Sequence, residues 1–220
     1  MRLLKEFRYI LFLLVAATAL SSCSESDGDT SNEFTNWQAR NEQAFADSLN
    51  YAKQHADEGW YIYRCWSMEN QTPTTDENKN PLTPTYNEYE DNIVVHVLKQ
   101  GEGSAVTPLY TDSVKVSYKG QLMPSGEKYP DGYTFDYTFN GEYDANYDVP
   151  QNMRVKDVVA GFSTALMKMG HIGDHWKVIM PYTLAYGSSA SSSASIPAYS
   201  MLRFEIVLKG YYRDGKWITK

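Results

Sequence analysis

The sequence lacks clusters of lysine and arginine. Its 220 residues include 27 acidic and 20 basic side chains, which gives a formal net charge of −7. A protein that binds a phosphate backbone concentrates positive charge on one face of a domain. We therefore expect this chain to have no nucleic-acid partner.

Cysteines and long apolar runs are also scarce. The sequence contains two cysteines, Cys23 and Cys65, and its most pronounced apolar run covers residues 9–20. That run is too short to span a bilayer comfortably, but it follows basic residues near the N-terminus, as the core of an export signal does. We predict that residues 1–22 form a signal peptide.

The residues after this run resemble the lipobox of bacterial lipoproteins. In Leu20-Ser21-Ser22-Cys23, the resemblance implies cleavage before Cys23 and acylation of its thiol. Two or more acyl chains anchor a protein stably to a membrane. We expect residues 23–32 to be a solvated acidic tether and the protein to be lipid-anchored in the bacterial cell envelope, at the outer membrane. The alternative is a secreted protein in which Cys23 is incidental.

Acylation of Cys23 would leave Cys65 without a partner for an intrachain disulfide. Cys65 lies in the aromatic segment 60–66, which is typical of a strand. We interpret it as a packed, unreactive cysteine, and a reactive thiol is the alternative.

An amphipathic helix is predicted over residues 33–55. Apolar side chains recur at helical spacing, at Phe34, Trp37, Ala44, Phe45, Leu49 and Ala52. Ser31 and Asn32 are the candidate N-caps, and Gly59 lies just past the end. The apolar stripe packs either on its own domain or on a second copy of the chain. Residues 67–92 are polar and contain three prolines, so we predict a mobile insertion there. The helix, the segment 60–66 and this insertion together make up the N-terminal region, residues 33–90.

Beyond the insertion the sequence predicts a sheet. Apolar and polar residues alternate in the segments 114–122, 176–180 and 202–208, as in an antiparallel sheet with one covered face. One helix interrupts this series, because residues 155–169 show helical spacing and end before Gly170. The predicted fold class is α+β, with a sheet packed on a helix.

This region contains a series of motifs, in the order Val114-Lys-Val-Ser-Tyr-Lys-Gly-Gln-Leu122, Phe135-Asp136, Val158-Val-Ala-Gly-Phe-Ser-Thr-Ala-Leu-Met-Lys-Met-Gly170, Val178-Ile-Met-Pro181, Leu184-Ala-Tyr-Gly187, Ile196-Pro197 and Leu202-Arg-Phe-Glu-Ile206. In their order and spacing these motifs resemble FKBP-type peptidyl-prolyl cis-trans isomerases. The resemblance covers residues 91–209 and leaves 210–220 as a C-terminal extension. It implies a bent antiparallel sheet wrapped around one short helix, preceded here by the N-terminal helical extension. The implied function is isomerisation of X-Pro bonds in exported proteins, which assists their folding.

The resemblance also implies a pocket for a prolyl residue. The residues expected to be catalytic are Tyr118, Phe135, Asp136, Phe162, Tyr186, Ile196 and Phe204, and those expected to bind substrate are Val149, Val158 and Val159. We expect Ile196 to offer its backbone N–H to the peptide carbonyl, and the Ser/Ala tract 188–195 to form an open, mobile rim. The implied partners are proline-containing polypeptides.

This chemistry needs no nucleophile, because rotation about an amide breaks no covalent bond. We therefore expect no metal and no cofactor.

Two motifs provide weaker alternatives to the isomerase function. Gly161-Phe-Ser-Thr-Ala165 resembles a nucleophile elbow, and His171, Asp174 and His175 are candidate metal ligands.

Departures from the family pattern leave a second function open. Phe162 stands where the family usually has Trp, Val149 falls near a usual aromatic position, and a stretch including residues 129–133 lengthens the segment before Phe135. The alternative function is a non-catalytic lipoprotein that binds peptides or a partner through the same pocket. The oligomeric state stays open.

Overall fold

The computed structural model describes residues 33–69, 71, 74–79, 81–82, 86–103 and 105–219. Every helix and strand given below belongs to one compact unit, Asn36–Lys220. The predicted signal peptide, the tether and Cys23 lie outside the described residues. None of the described helices is both long and apolar enough to cross a membrane.

The described residues form three α-helices, namely α1 (Trp37–Gln54), α2 (Trp66–Glu69) and α3 (Ala160–Lys168). The predicted N-terminal helix is present, but it begins at Trp37 because Asn36 has a left-handed backbone with φ of 52°. The predicted caps, Ser31 and Asn32, lie outside the described residues. Helix α3 is shorter than its apolar spacing suggests, since Val155–Asp157 form a separate 3-10 turn and Val158 is extended.

The strands pair antiparallel throughout. They are β1 (Trp60–Arg64), β2 (Thr74–Thr75), β3 (Pro81–Leu82), β4 (Asn92–Lys99), β5 (Ser113–Leu122), β6 (Thr134–Tyr137), β7 (Gln151–Arg154), β8 (His175–Met180), β9 (Leu202–Arg213) and β10 (Lys216–Ile218). The main sheet has the order β1-β4-β8-β9-β5-β6, with β7 also on β5 and β10 also on β9. Strands β2 and β3 form a separate hairpin. The predicted α+β class with an antiparallel sheet is confirmed.

Helix α3 packs on one face of the main sheet. Val178 and Phe204 are directly opposed on β8 and β9 and share this face. Phe162 on α3 contacts the Phe204 ring. The helix lies close to the sheet at Gly161, where an added Cβ would be 2.7 Å from the sulfur of Met180. Large apolar side chains are therefore buried between the helix and the sheet.

Helix α1 packs on the opposite face of the same sheet. Its residues Phe45 and Leu49 form a buried cluster with Val94 of β4. Val94 is paired with Ile62 on one side and Ile179 on the other, and alternate strand residues point to opposite faces. Ile179 therefore faces α1, whereas its neighbour Val178 faces α3. Of the two interpretations of the apolar stripe, the structure shows packing within the chain.

The described part of the 67–92 segment contains the end of α2 and the hairpin β2–β3. Helix α2 is joined to α3 by an ion pair in which Lys168 Nζ lies 2.6 Å from Glu69 Oε1. The mobility of this segment stays a prediction. Cys65, which the sequence places in a strand, lies one residue past β1 and is a buried free cysteine.

Candidate functional site

A hollow of about 450 Å³ lies between α3 and the strands β5, β6, β7 and β9. It is lined by Tyr118, Phe135, Asp136, Met153, Asp157, Val158, Val159, Phe162, Tyr186, Ser193, Ala194 and Phe204. Eight of the ten pocket residues expected from the sequence are among them. This volume is within the range of sites for small ligands. We call this space the ring hollow.

Edge-to-face aromatic contacts form the floor of the ring hollow. The Phe162 and Phe204 ring centroids are 4.9 Å apart with an interplanar angle of 84°, and Phe135 meets Phe204 at 5.6 Å and 85°. Tyr118 meets Phe162 at 6.0 Å and 84°. Such geometry is favourable because the positive edge of one ring faces the negative face of the next. The floor is therefore apolar and held by mutual ring contacts.

Glycine at position 120 allows these rings to meet. Gly120 is paired with Asp136 on β6 and with Phe204 on β9. A Cβ at this position would lie 2.6 Å from Phe135 Cζ and 2.7 Å from Phe204 Cε1, which is too close for carbon atoms. The rings thus occupy the space above the glycine backbone.

Tyr118 and Asp136 form a hydrogen-bonded polar pair in the ring hollow, and Asp157, Tyr186 and Ser193 are further polar lining residues. The Tyr118 hydroxyl donates a hydrogen bond of 2.7 Å to Asp136 Oδ2 and lies 3.1 Å from Gln151 Oε1. Burial raises the pKa of Tyr118, and the bond to Asp136 raises it further. The phenol is therefore neutral at physiological pH. This use of Asp136 differs from the expected one, in which its carboxylate meets the peptide.

The Ser/Ala tract overhangs the ring hollow as expected, through Ser193 and Ala194. It is not a featureless loop. Ser191 and Ile196 exchange two backbone hydrogen bonds, of 2.9 and 3.0 Å, which close a turn containing the 3-10 segment Ser192–Ala194. Tyr186 stands before this turn with an exposed side chain that lines the ring hollow.

Two expectations about the pocket are wrong. The Ile196 N–H cannot meet a peptide carbonyl, because it already donates to Ser191 O at 3.0 Å. The Ile196 side chain is only 2% exposed and does not line the ring hollow. Val149 is 76% exposed and also lies outside it, because the segment before β7 turns its side chain to solvent.

Val158 and Val159 line the ring hollow as expected. They do so because the chain is extended at these residues before α3 begins, and Val159 is the N-cap of that helix. The first N–H groups of a helix have no intrahelical acceptor. The start of α3 therefore offers backbone N–H donors beside the ring hollow. These groups can take the role of donor to the peptide carbonyl that was expected of Ile196.

Two lining residues, Met153 and Asp157, were not expected from the sequence. Asp157 is exposed and paired with Arg154 and Lys156, and these cations lower its pKa. The alternation of β7 could have identified Met153, since it is less exposed than its neighbours. No motif marked Asp157.

The competing chemistries have little structural support. Ser163 of the elbow-like motif is buried within α3 and donates to Val155 O at 2.6 Å. Asp174 is buried and accepts hydrogen bonds from the backbone N–H groups of Gly101 and His171. His175 Nε2 bonds instead to Glu205. Within the described residues no group of three metal-binding side chains converges.

Comparison with known proteins agrees with this geometry. Residues 105–209 match the family model described as FKBP-type peptidyl-prolyl cis-trans isomerase. The chain is 36% identical over 122 residues to the FKBP-type 22 kDa peptidyl-prolyl cis-trans isomerase of Escherichia coli (strain K12), an alignment that covers 56% of this chain and 51% of that protein. It is 31% identical over 127 residues to the macrophage infectivity potentiator of Trypanosoma cruzi, with coverage of 58% and 57%.

Among solved structures, a peptidyl-prolyl cis-trans isomerase from Pseudomonas syringae pv. tomato is 29% identical to this chain. The alignment covers 55% of this chain and 76% of that one, with a TM-score of 0.43. The chain spans about half the length of the curated relatives it matches. The family model matches residues 105–209 alone. The match starts later than the predicted boundary at residue 91, which places β4 before it.

Proposed function

We propose that this chain is a peptidyl-prolyl cis-trans isomerase that acts on X-Pro bonds of exported proteins and assists their folding. The proposal depends on one observation. The rings of Tyr118, Phe135, Phe162 and Phe204, drawn from three strands and one helix, meet edge to face at the base of a single hollow. Such a floor accepts the compact, apolar ring of proline.

The chemistry required is rotation about one amide bond. The barrier to this rotation is about 18–20 kcal/mol because the planar amide has partial double-bond character. Rotation removes that resonance, so the twisted amide is less charge-separated than the planar one. An apolar, water-poor floor disfavours the planar ground state relative to the twisted state. Each 1.36 kcal/mol of this difference accelerates the reaction about tenfold.

Hydrogen-bond donors at the rim orient the peptide. The Tyr186 side chain is exposed beside the ring hollow, so its hydroxyl is available to the carbonyl of the residue before proline. The N-terminus of α3 provides backbone donors on the other side, next to Val159. Tyr118 has a different role, because its hydroxyl is engaged by Asp136. This hydrogen bond holds the Tyr118 ring in place in the floor of the ring hollow.

Relaxation of the cis–trans equilibrium of an X-Pro tetrapeptide tests the activity. We expect the purified protein to accelerate relaxation at micromolar concentration. Tyr186→Phe should reduce kcat/KM, while Val149→Ala serves as the matched control because its side chain lies outside the ring hollow. An unchanged relaxation rate with the unmodified protein would exclude the enzymatic proposal.

The membrane anchor is a separate part of the proposal. The Leu20–Cys23 motif supports acylation of Cys23. The acylated protein would be anchored by its lipid in the cell envelope, and we propose the outer membrane as the membrane that holds it. Fatty-acid labelling followed by mass spectrometry of the N-terminal peptide tests it. We expect Cys23→Ser to abolish labelling and Cys65→Ser to leave it unchanged. Label that persists in Cys23→Ser argues against the anchor, and protease accessibility on whole cells reports the membrane face.

A non-catalytic peptide-binding lipoprotein is the second candidate. It is favoured by the occupied N–H of Ile196, which removes one expected donor, and by Phe162 at the position where the family usually has a larger Trp. This candidate predicts that proline-containing peptides shift NMR resonances of the ring-hollow residues without any gain in isomerisation rate. Binding accompanied by acceleration excludes it.

A further inference from the structure

A second hollow borders the ring hollow on the far side of β7. It has a volume of about 620 Å³, and Met153, Asp157 and Val158 line both spaces. Strand β7 and the turn after it thus form the ridge between the two. The second hollow is additionally lined by Arg154, Tyr212 and Trp217. We call it the aromatic shelf.

The aromatic shelf is built by a row of residues that crosses four strands. Trp217 on β10 pairs with Tyr212 on β9, Tyr212 pairs with Ser113 on β5, and Ser113 pairs with Arg154 on β7. Directly opposed residues share one face of a sheet. The row therefore presents two aromatic rings and one guanidinium group on a common surface.

Both rings are accessible to a ligand. Tyr212 is 41% exposed and Trp217 is 37% exposed. Their centroids are 5.5 Å apart with an interplanar angle of 61°, and Lys115 Nζ lies 5.2 Å from the centre of the Trp217 ring. The rings are held in this position by a two-residue turn, in which Asp214 and Gly215 both have positive φ, as the tight hairpin turns require.

This hairpin lies at the end of the chain, beyond the segment that matches the isomerase family. The match ends at residue 209, whereas both aromatic residues follow it. The two aromatic side chains of the shelf therefore lie outside the family-matched segment, whereas its other lining residues, such as Arg154, lie within it.

We propose that the aromatic shelf binds the stretch of unfolded polypeptide that flanks the proline held in the ring hollow, with an aromatic or large aliphatic side chain placed against Tyr212 and Trp217. This inference rests on the proposed function. A residue before proline is restricted to extended conformations, so the chain leaves the ring hollow as an extended segment. The preferred substrates are then unfolded chains with an apolar residue near an X-Pro bond.

The ridge between the hollows suits an extended segment. Among the described residues, β7 pairs with β5 along one edge only. In an antiparallel pair, alternate N–H and C=O groups point away from the partner strand. Ser113 and Arg154 point to the sheet face opposite to that of Tyr118 and Met153, so a segment that reaches the shelf from the ring hollow passes over this edge. Single hydrogen bonds to the outward groups of β7 can hold it there.

Two substrates separate this inference from the proposed function. The first is a short X-Pro tetrapeptide, which fills the ring hollow alone. The second is a series of longer unfolded peptides that carry one Phe at increasing distances from the proline, on either side. Isomerisation is measured by NMR exchange, and KM and kcat are obtained for each. The tetrapeptide rate tests the proposed function, while the KM difference between the two substrates tests the shelf.

We expect Trp217→Ala to raise KM for the best long peptide about twofold to tenfold, which is the range that one aromatic contact provides. The kcat value and the tetrapeptide kinetics should not change. Trp217→Phe should restore most of the affinity, because it retains a ring. Tyr61→Ala is the matched control, since Tyr61 is also an exposed aromatic residue but lies on β1 at the other end of the sheet.

The inference is overturned if Trp217→Ala affects both substrates equally, affects neither, or instead changes the sedimentation of the free protein, which would assign the shelf to self-association. The unfolding midpoint of Trp217→Ala shows whether this variant stays folded. Tyr212→Ala gives a second, independent KM for the long peptide. If the unmodified protein does not accelerate the tetrapeptide, the proposed function fails. In that case, equilibrium binding of the long peptide to the unmodified protein and to Trp217→Ala still tests the shelf.

Discussion

The hydroxyl of Tyr118 donates a 2.7 Å hydrogen bond to Asp136 Oδ2. Tyr118 lies on β5 and Asp136 on the neighbouring strand β6, immediately after Phe135. The bond therefore joins the buried floor of the ring hollow to the strand that brings the Phe135 ring over it. Several consequences of this arrangement can be measured.

Tyr118→Phe removes the hydroxyl and keeps the ring. Since the freed Asp136 carboxylate is exposed and regains water, we expect the free energy of unfolding to fall by about 1 kcal/mol. We also expect kcat/KM to fall about fivefold, because the ring is no longer held in place. Urea denaturation and isomerisation kinetics measure both effects. Tyr137→Phe, at an exposed tyrosine on the same strand as Asp136, is the control, and equal behaviour of the two variants would contradict the prediction.

Phe162 forms the base of the ring hollow. Truncation to alanine costs about 3–5 kcal/mol for a buried Phe, which threatens the fold, so Phe162→Leu is the informative change. It keeps an apolar core but loses the edge-to-face contacts with Phe204 and Tyr118. We expect kcat/KM to fall at least about tenfold with an unchanged circular dichroism spectrum. Retention of full activity would show that these contacts do not contribute to catalysis.

Gly120→Ala tests the close approach of the rings to the β5 backbone. The new methyl group would meet the Phe135 and Phe204 rings at 2.6–2.7 Å, and overpacking of this kind costs about 1–3 kcal/mol. We expect reduced stability and, because both rings must move, reduced activity. Gly170→Ala is the control, since nothing lies within 4 Å of the added atom and its φ is not in the left-handed region. A destabilised Gly170→Ala with a normal Gly120→Ala would reverse this interpretation.

Leu49→Ala tests whether α1 is part of the folded domain. Leu49 is fully buried in the cluster with Phe45 and Val94, so we expect a loss of about 2–5 kcal/mol in the free energy of unfolding. Asn50→Ala, at the exposed neighbour, should change it little. Sedimentation velocity should give the same mass for both variants and for the unmodified protein. A change of mass in Leu49→Ala alone would favour the dimerisation interpretation of this helix.

Acid should weaken one ion pair on the face of the sheet opposite to Phe204. The hydrogen bond from His175 Nε2, at 2.8 Å, lowers the pKa of Glu205, and the charge of Lys119 lowers it further. A carboxyl group with a lowered pKa in the folded state stabilises the protein at pH values above its unfolded pKa, which is about 4.3. That contribution is lost as the pH falls through the folded pKa.

We therefore expect Glu205→Gln to be less stable than the unmodified protein at pH 6, and the difference in urea midpoint to shrink as the pH decreases below about 4.3. Glu102→Gln, at an exposed position, is the control. A difference that stays constant between pH 6 and pH 3 would mean that the charge of Glu205 does not contribute.

Regular alternation made much of the sheet predictable. Alternation with their neighbours places Tyr118 and Phe204 on the apolar faces of their strands, and both lie in the ring hollow. Helical spacing places Phe162 on the apolar side of its helix in the same way. Asp214-Gly215 is a strong hairpin signal, so strand β10 is also predictable, although the resemblance indicates only an extension over residues 210–220.

Ile196 and Val149 show what the local pattern could not provide. Both sit at positions where the family resemblance implied contact with substrate. The Ile196 N–H is consumed by Ser191, and the Val149 side chain faces solvent. A backbone donor is free, and a side chain is buried, only in relation to the segments that the fold places next to it. The residues adjacent in the sequence do not show which segments those are.

Local periodicity was enough to locate α1, α3 and the long strands β5, β8 and β9, and the side of each that carries apolar rings, because 2-residue and 3.6-residue periods are properties of neighbouring residues. Local periodicity could not show which of those rings share one hollow, that α1 covers the opposite face of the sheet, or that Trp217, Tyr212 and Arg154 form a row next to the site. These relationships are set by strand register and by helix packing, which join residues far apart in the chain.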